Sequence, residues 1–191
     1  MNAVMNKLSP SITNMIRMDH THVLTTFHRY KDGCSPSVKQ ALANTIFMAL
    51  EIHAQLEEEI FYPAMRAIDP EIVEKSVPEH DEMRQMISSL RNMEPTNPHY
   101  DRSFMELMRA VMHHVADEET TLLPEAERLL GDRLGELGAE MTKRRMQLAL
   151  PRTAELATNT VKAMPASTML IGAGALLAGS YLVGQMWKKS D

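Results

Sequence analysis

Apolar residues recur along the chain at intervals of three and four, and breaks in that rhythm divide it into helices. Ser9-Pro10 opens a first helix predicted to run to about Tyr30, with Ile12, Ile16, Val23 or Leu24, and Phe27 along one face. Lys31 to Ser35 reads as a loop. Ser35-Pro36 then starts a second helix, proline sitting in the first turn where no N–H is needed. Its inward stripe is Leu42, Ile46, Ala49, Leu56 and Ile60, and Tyr62-Pro63 marks a bend or an end. Asp69-Pro70 begins a third stretch, which Ser76-Val-Pro-Glu79 restarts as a capping box before Met83, Ile87 and Leu90. Asn97-Pro98 opens a fourth helix carrying Phe104, Leu107, Val111 and Leu122, and Gly131 closes it. A further helix follows through Leu134, Leu137 and Met141 until Pro151 breaks it, and Arg152 to Met164 forms a short amphipathic linker. Short β-branched runs and scarce glycine before Gly131 make the pattern all-α. It predicts an up-down-up-down four-helix bundle over residues 1–130, then a helical linker over 131–164.

The last stretch differs in kind. Ala166 to Trp187 carries no charge and lies between Pro165 and Lys188-Lys189. As a helix it would span roughly 33 Å, about the thickness of a bilayer core. The pairs Gly174/Ala178, Ala175/Gly179 and Ser180/Gly184 suit close helix contact in lipid, and Tyr181 and Trp187 suit its interface. The expectation is a single transmembrane tail anchor over residues 165–188, with room for a helix–helix partner in the membrane. Met1 to Pro10 has no apolar core of a secretory signal, so the expected placement is membrane-anchored with the bundle in the cytoplasm.

Composition narrows the function. A net charge of −5 and the lack of a basic stripe ahead of Lys143 argue against nucleic acid. The single cysteine, Cys34, falls in a loop and has no internal disulfide partner. Seventeen methionines read as flexible core filling, since they form no clustered soft-metal pattern. No serine- or cysteine-nucleophile constellation and no glycine-rich phosphate loop is present.

The informative polar residues interrupt the apolar stripes themselves. His53-Ala-Gln-Leu-Glu57-Glu58 leads into Tyr62-Pro63, and the pattern returns as His114-Val-Ala-Asp-Glu118-Glu119 leading into Pro124. A step of four residues turns a helix by about 400°, so each histidine shares a face with the glutamate after it and both can grip one metal ion. Upstream of each copy stands an acidic-His pair, Asp19-His20 and Glu79-His80. Two such half-sites facing each other supply His20, His53, His80, His114, Glu57 and Glu118. Four imidazoles and two carboxylates suit two transition-metal ions, iron or manganese ahead of zinc. The internal repeat selects His114, and its neighbour His113 is the alternative ligand. Glu59 reads as a solvated face, and Glu58 as surface or as a supporting group.

These residues resemble the hemerythrin family in its HHE cation-binding branch, over about residues 10 to 130. The resemblance implies a non-haem di-iron centre in a four-helix bundle, with Glu57 and Glu118 bridging the ions and the four histidines as terminal ligands. It implies a protein that binds O2 or a related small ligand such as peroxide or nitric oxide for sensing, storage or delivery. The sequence departs from the oxygen carriers where Arg84 stands in place of a second histidine four residues after His80. That departure opens the alternative of a di-iron enzyme with peroxidase-like, nitric-oxide-handling or iron-oxidising activity.

Overall fold

The computed structural model describes residues 9–164, and every regular element among them is helical. In chain order these are α1 (Ile12–His28), α2 (Pro36–Leu56), α3 (Tyr62–Arg66), α4 (Ser76–Arg91), α5 (Tyr100–Asp117), α6 (Leu123–Leu130), α7 (Arg133–Ala149) and α8 (Thr153–Ala163). A π-helical turn, Glu57–Phe61, joins α2 to α3 without a break, and a second, Glu118–Leu122, joins α5 to α6.

Local chemistry explains the boundaries. The Ser35 side chain caps α2 by accepting the Val38 N–H, with Pro36 in the first turn, as the sequence predicts. For α1 the cap is Ser11, accepting from Asn14 N–H, so the helix starts after Ser9-Pro10 rather than at it. No capping box forms at Ser76: Lys75 precedes α4 without a side-chain cap, and Glu79 is used elsewhere. Gly131, at φ 47°, closes α6 in a conformation that disfavours a side chain.

Pro63 and Pro124 end no helix. A proline ring would collide with the carbonyl four residues back in a regular α-helix. Here the preceding turn is widened, and Tyr62 and Leu123 donate to the Glu57 and Glu118 carbonyls five residues back. The helix therefore continues past Tyr62-Pro63, where the sequence predicts a bend or an end, and past Pro124.

The apolar interior is divided in two. One block gathers Val23, Leu42, Ile46, Leu50, Met83, Ile87, Phe104, Leu107 and Val111, and the other Ile12, Ile16, Leu56, Phe61, Met65, Leu122, Leu123 and Leu130. Helix α1 runs from the second block to the first, α2 runs back, α4 repeats the direction of α1 and α5 that of α2. This is the up-down-up-down order, and each long helix crosses from one block to the other at a histidine.

Residues 131–164, expected as a helical linker, fold against the bundle. Helix α7 packs on α1 and α2, and α8 packs along α2, where Arg29 donates to the Ala163 carbonyl at 2.8 Å. The approach of α7 to the start of α1 is close: a Cβ on Gly138 would collide with the Pro10 carbonyl oxygen.

The expected membrane-anchored placement does not stand. Among the described residues no helix is long and apolar enough to cross a membrane, and the stretch 165–188 read as an anchor lies outside them.

Gly138→Ala is expected to lower stability by about 1–3 kcal/mol through overpacking against backbone. Gly135→Ala in the same helix, where a Cβ meets nothing within 4 Å, should leave it equal or higher. Urea denaturation of the two variants checks the pair.

Candidate metal centre

All six sequence-selected residues meet in the layer between the two apolar blocks. His20 comes from α1, His53 from the last turn of α2, His80 from α4 and His114 from α5, while Glu57 and Glu118 are the first residues of the two π turns. All six are buried, and Glu57 has no exposed surface at all. His113 points to solvent, so the choice between the adjacent histidines falls on His114.

The side chains converge through their Nε2 and carboxylate atoms. His53 Nε2 is 3.2 Å and His80 Nε2 3.4 Å from Glu57 Oε2, while His20 Nε2 is 3.3 Å and His114 Nε2 3.6 Å from Glu118 Oε2. Two groups of four have ligand atoms all within 4.8 Å of one another: His53, Glu57, His80 and His114, and His20, His53, Glu57 and Glu118.

Every one of these imidazoles has an acidic partner at its other nitrogen. Glu119 lies 3.0 Å from His20 Nδ1, Glu58 2.9 Å from His80 Nδ1, Glu79 2.8 Å from His114 Nδ1, and Asp19 3.5 Å from His53 Nδ1. A carboxylate there accepts the Nδ1 proton and leaves the Nε2 lone pair facing the centre. The partners follow the repeat. Asp19 and Glu79 serve the histidine of their own half, whereas Glu58 and Glu119 reach across to the other half. Glu58 is thus a supporting group, and the glutamate pairs in the repeated pattern divide into one centre-facing and one cross-bracing residue.

Tyr62 is the participant that the sequence reading missed. Its hydroxyl lies 3.1 Å from Glu57 Oε2 and 2.9 Å from Glu118 Oε1, between the two buried carboxylates. The available signal was the mismatch in the repeat, since the equivalent position in the second copy is Leu123. Burial and the two carboxylates hold the phenol well above its ordinary pKa, so it stays a proton donor.

The electrostatics follow from burial. Desolvation, and then the Glu118 charge, push the Glu57 carboxyl up to about 7. Burial opposes ionisation of Glu118 as well, but the His20 imidazole 3.3 Å away and the surrounding imidazoles prevail and hold it below the usual carboxylate range. His20 is disfavoured as a cation by burial, yet the adjacent Glu118 and Glu119 carboxylates raise its pKa.

The donor set fits metal ions. His20 Nε2, His53 Nε2, Glu57 Oε1 and Glu118 Oε2 are buried without a hydrogen-bond partner, and all four belong to the convergent set. Buried polar atoms rarely stay unpaired, and a cation satisfies several at once. Beside the histidines is a small cavity of about 20 Å³, walled by Val23, Leu50, Ala54, Met83, Ile87 and Val111, with Asp19, Glu51 and Arg84 also in its lining. That is room for a molecule the size of water.

Comparison with known proteins agrees with this geometry. The family model described as Hemerythrin HHE cation binding domain matches residues 11–126. A curated relative from Nostoc sp., described as a DNA nickase, is 30% identical over 118 residues, covering 61% of this chain and 34% of its own length. The chain therefore spans about a third of that relative. The crystal structure of an HHE cation binding domain-containing protein from Mycobacterium kansasii aligns with a TM-score of 0.65 at 20% identity, over 78% of this chain and 99% of that one. This likeness shows the fold.

Metal affinity is expected to fall with acidity. Below about 7 an incoming ion must displace the proton on Glu57, so apparent affinity should drop by about tenfold per pH unit for each proton released. Ferrous-iron titrations at pH 6 and pH 8 check this, and equal affinities would show that no such proton is displaced.

Proposed function

Because this chain belongs to the hemerythrin HHE cation-binding family, we propose that it is a non-haem di-iron protein that binds O2 or a related small molecule for sensing, storage or delivery. The observation that carries this reading is the buried set of four Nε2 atoms around two carboxylates, with their Nδ1 atoms held from behind by four further acidic groups. His20, His53, His80 and His114 are the proposed terminal ligands, and Glu57 and Glu118 the proposed bridges. Nitrogen and hard oxygen donors in this number favour iron over zinc, and over manganese on the family's precedent.

A bound iron pair supplies redox electrons and an open coordination position. The chain's own contribution is to hold donors and to exclude water. The cavity beside His53, His80 and His114 is small and mainly apolar, which suits a ligand of very few atoms over a bulky substrate. Tyr62 supplies a hydroxyl proton at the carboxylate pair, and the four outer carboxylates keep the imidazole rings in one orientation.

The enzymatic alternative rests on Arg84. Where the oxygen carriers have a further histidine, its guanidinium instead lines the cavity and bonds Glu58 at 2.7 Å. One imidazole fewer leaves an additional position for peroxide or nitric oxide to be turned over. The nicking activity in the Nostoc relative's name is not carried over, since most of that protein has no counterpart here and a net charge of −5 gives DNA no attraction.

Anaerobic loading of the full chain should give about two irons per chain. Oxygen-dependent absorption bands that reverse on removal of O2 support the binder. Bands that decay with catalytic loss of peroxide move the reading to the enzyme. Stoichiometric loading retained in both His53→Ala and His114→Ala would refute the metal centre.

A further inference from the structure

Helix α7 begins at Arg133, beyond the segment matched by the family, yet one of its side chains reaches the carboxylate behind a candidate ligand. Arg145 donates from both terminal nitrogens to Asp19, at 2.5 Å to Oδ1 and 2.6 Å to Oδ2. Asp19 in turn faces His53 Nδ1, and His53 Nε2 faces Glu57. The line Arg145–Asp19–His53 thus runs from a helix outside the matched segment to the middle of the centre.

Two of the other three carboxylate–histidine pairs also carry an arginine. Arg84 bonds Glu58 behind His80, and Arg17 stands 4.0 Å from Glu119 behind His20. Both lie within residues 11–126. Of the three arginines, Arg145 alone comes from beyond that segment, and it alone grips its carboxylate through both oxygens. Such two-pronged contact fixes the plane of a carboxylate as well as its position.

Asp19 needs that fixing. At 3.5 Å its contact with His53 is the longest of the four Nδ1 contacts. Asp19 is the residue before His20 on α1, and among the described residues its side chain bonds Arg145 and otherwise only approaches His53. A carboxylate free to rotate would leave the His53 ring without a defined tautomer or tilt.

We propose that Arg145 is a positioning residue of the metal centre. By clamping Asp19 it fixes the tautomer and orientation of His53, and it makes the seating of α7 a condition for full metal affinity. The inference rests on the reading of His53 as a ligand. It assigns the segment beyond residue 126 a part in the centre rather than a place beside it.

The neighbouring residue provides the control. Arg144 also ties α7 to the bundle, bonding Glu59 at 2.6 and 2.9 Å, but Glu59 holds no histidine. Loss of either arginine removes one tie, while Leu137 and Met141 in the apolar core keep the helix seated, and only loss of Arg145 frees Asp19.

The test is anaerobic ferrous-iron titration of the full chain, with nitrogen NMR of the His53 imidazole in the metal-free protein. Arg145→Met should weaken iron binding by about tenfold and mix the His53 tautomers. Arg145→Lys should recover part of both effects, and Arg144→Met should leave both as in the unsubstituted protein. Equal losses in Arg144→Met and Arg145→Met would reduce the role to docking and overturn the proposal. So would unchanged affinity and an unchanged His53 tautomer in Arg145→Met when His53→Ala abolishes binding. If His53→Ala binds iron as tightly as the unsubstituted protein, the ligand reading itself fails and the proposal falls with it.

Discussion

Two carboxylates and four imidazoles in the middle of an apolar bundle impose a constraint that the surrounding structure answers. Moving a single carboxylate out of water costs several kcal/mol even after relaxation. Glu57 and Glu118 are both buried, and both face imidazoles. The protein offsets this cost in three tiers. Burial and the Glu118 charge favour a neutral Glu57, Tyr62 donates between the two carboxylates, and a ring of outer acids balances any positive charge that the histidines acquire. Positive ions at the centre would complete the same balance more fully, which is why the unpaired atoms are concentrated there.

The internal repeat gives this arrangement its economy. Each half provides an acidic-His pair, a histidine, a centre-facing glutamate and a glutamate that braces the opposite half. Because Glu58 holds His80 and Glu119 holds His20, neither half can be complete alone. The π turns serve the same end. They begin at the centre-facing glutamates and let Pro63 and Pro124 follow inside continuous helices, so the bundle is not shortened at its polar layer. Tyr62 breaks the symmetry, and the two sides of the centre are chemically unequal.

Helix order, the two-fold repeat and all six centre residues were legible because each rests on helical spacing or on the return of one pattern along the chain. Caps were less so. Ser35 behaves as its sequence implies, whereas Ser76 and Glu79 satisfy a capping pattern that Glu79 forgoes to hold His114. Long-range pairing overrode a local preference there. Tyr62-Pro63 misled for a related reason, since proline's usual consequence for a helix is cancelled by a widened turn that no residue type announces. The role of Arg145 was invisible, because nothing in a basic run at a helix end says which distant carboxylate it will meet. The membrane expectation rested on the length, apolarity and small-residue spacing of a stretch outside the described residues.

The polar layer also acts as a ruler. Its four histidines sit at one level because each helix has apolar residues on both sides of that level, Ile16 and Val23 around His20, or Val111 and Leu122 around His114 and Glu118. If one helix slid by a single turn, about 5.4 Å, an imidazole or carboxylate would enter a block of isoleucine, leucine and phenylalanine, and a leucine would enter the layer. Uniform apolar stripes would tolerate such a shift at small cost. The charged layer removes the degeneracy, so the groups that make this bundle costly to bury are also what fixes the alignment of its helices.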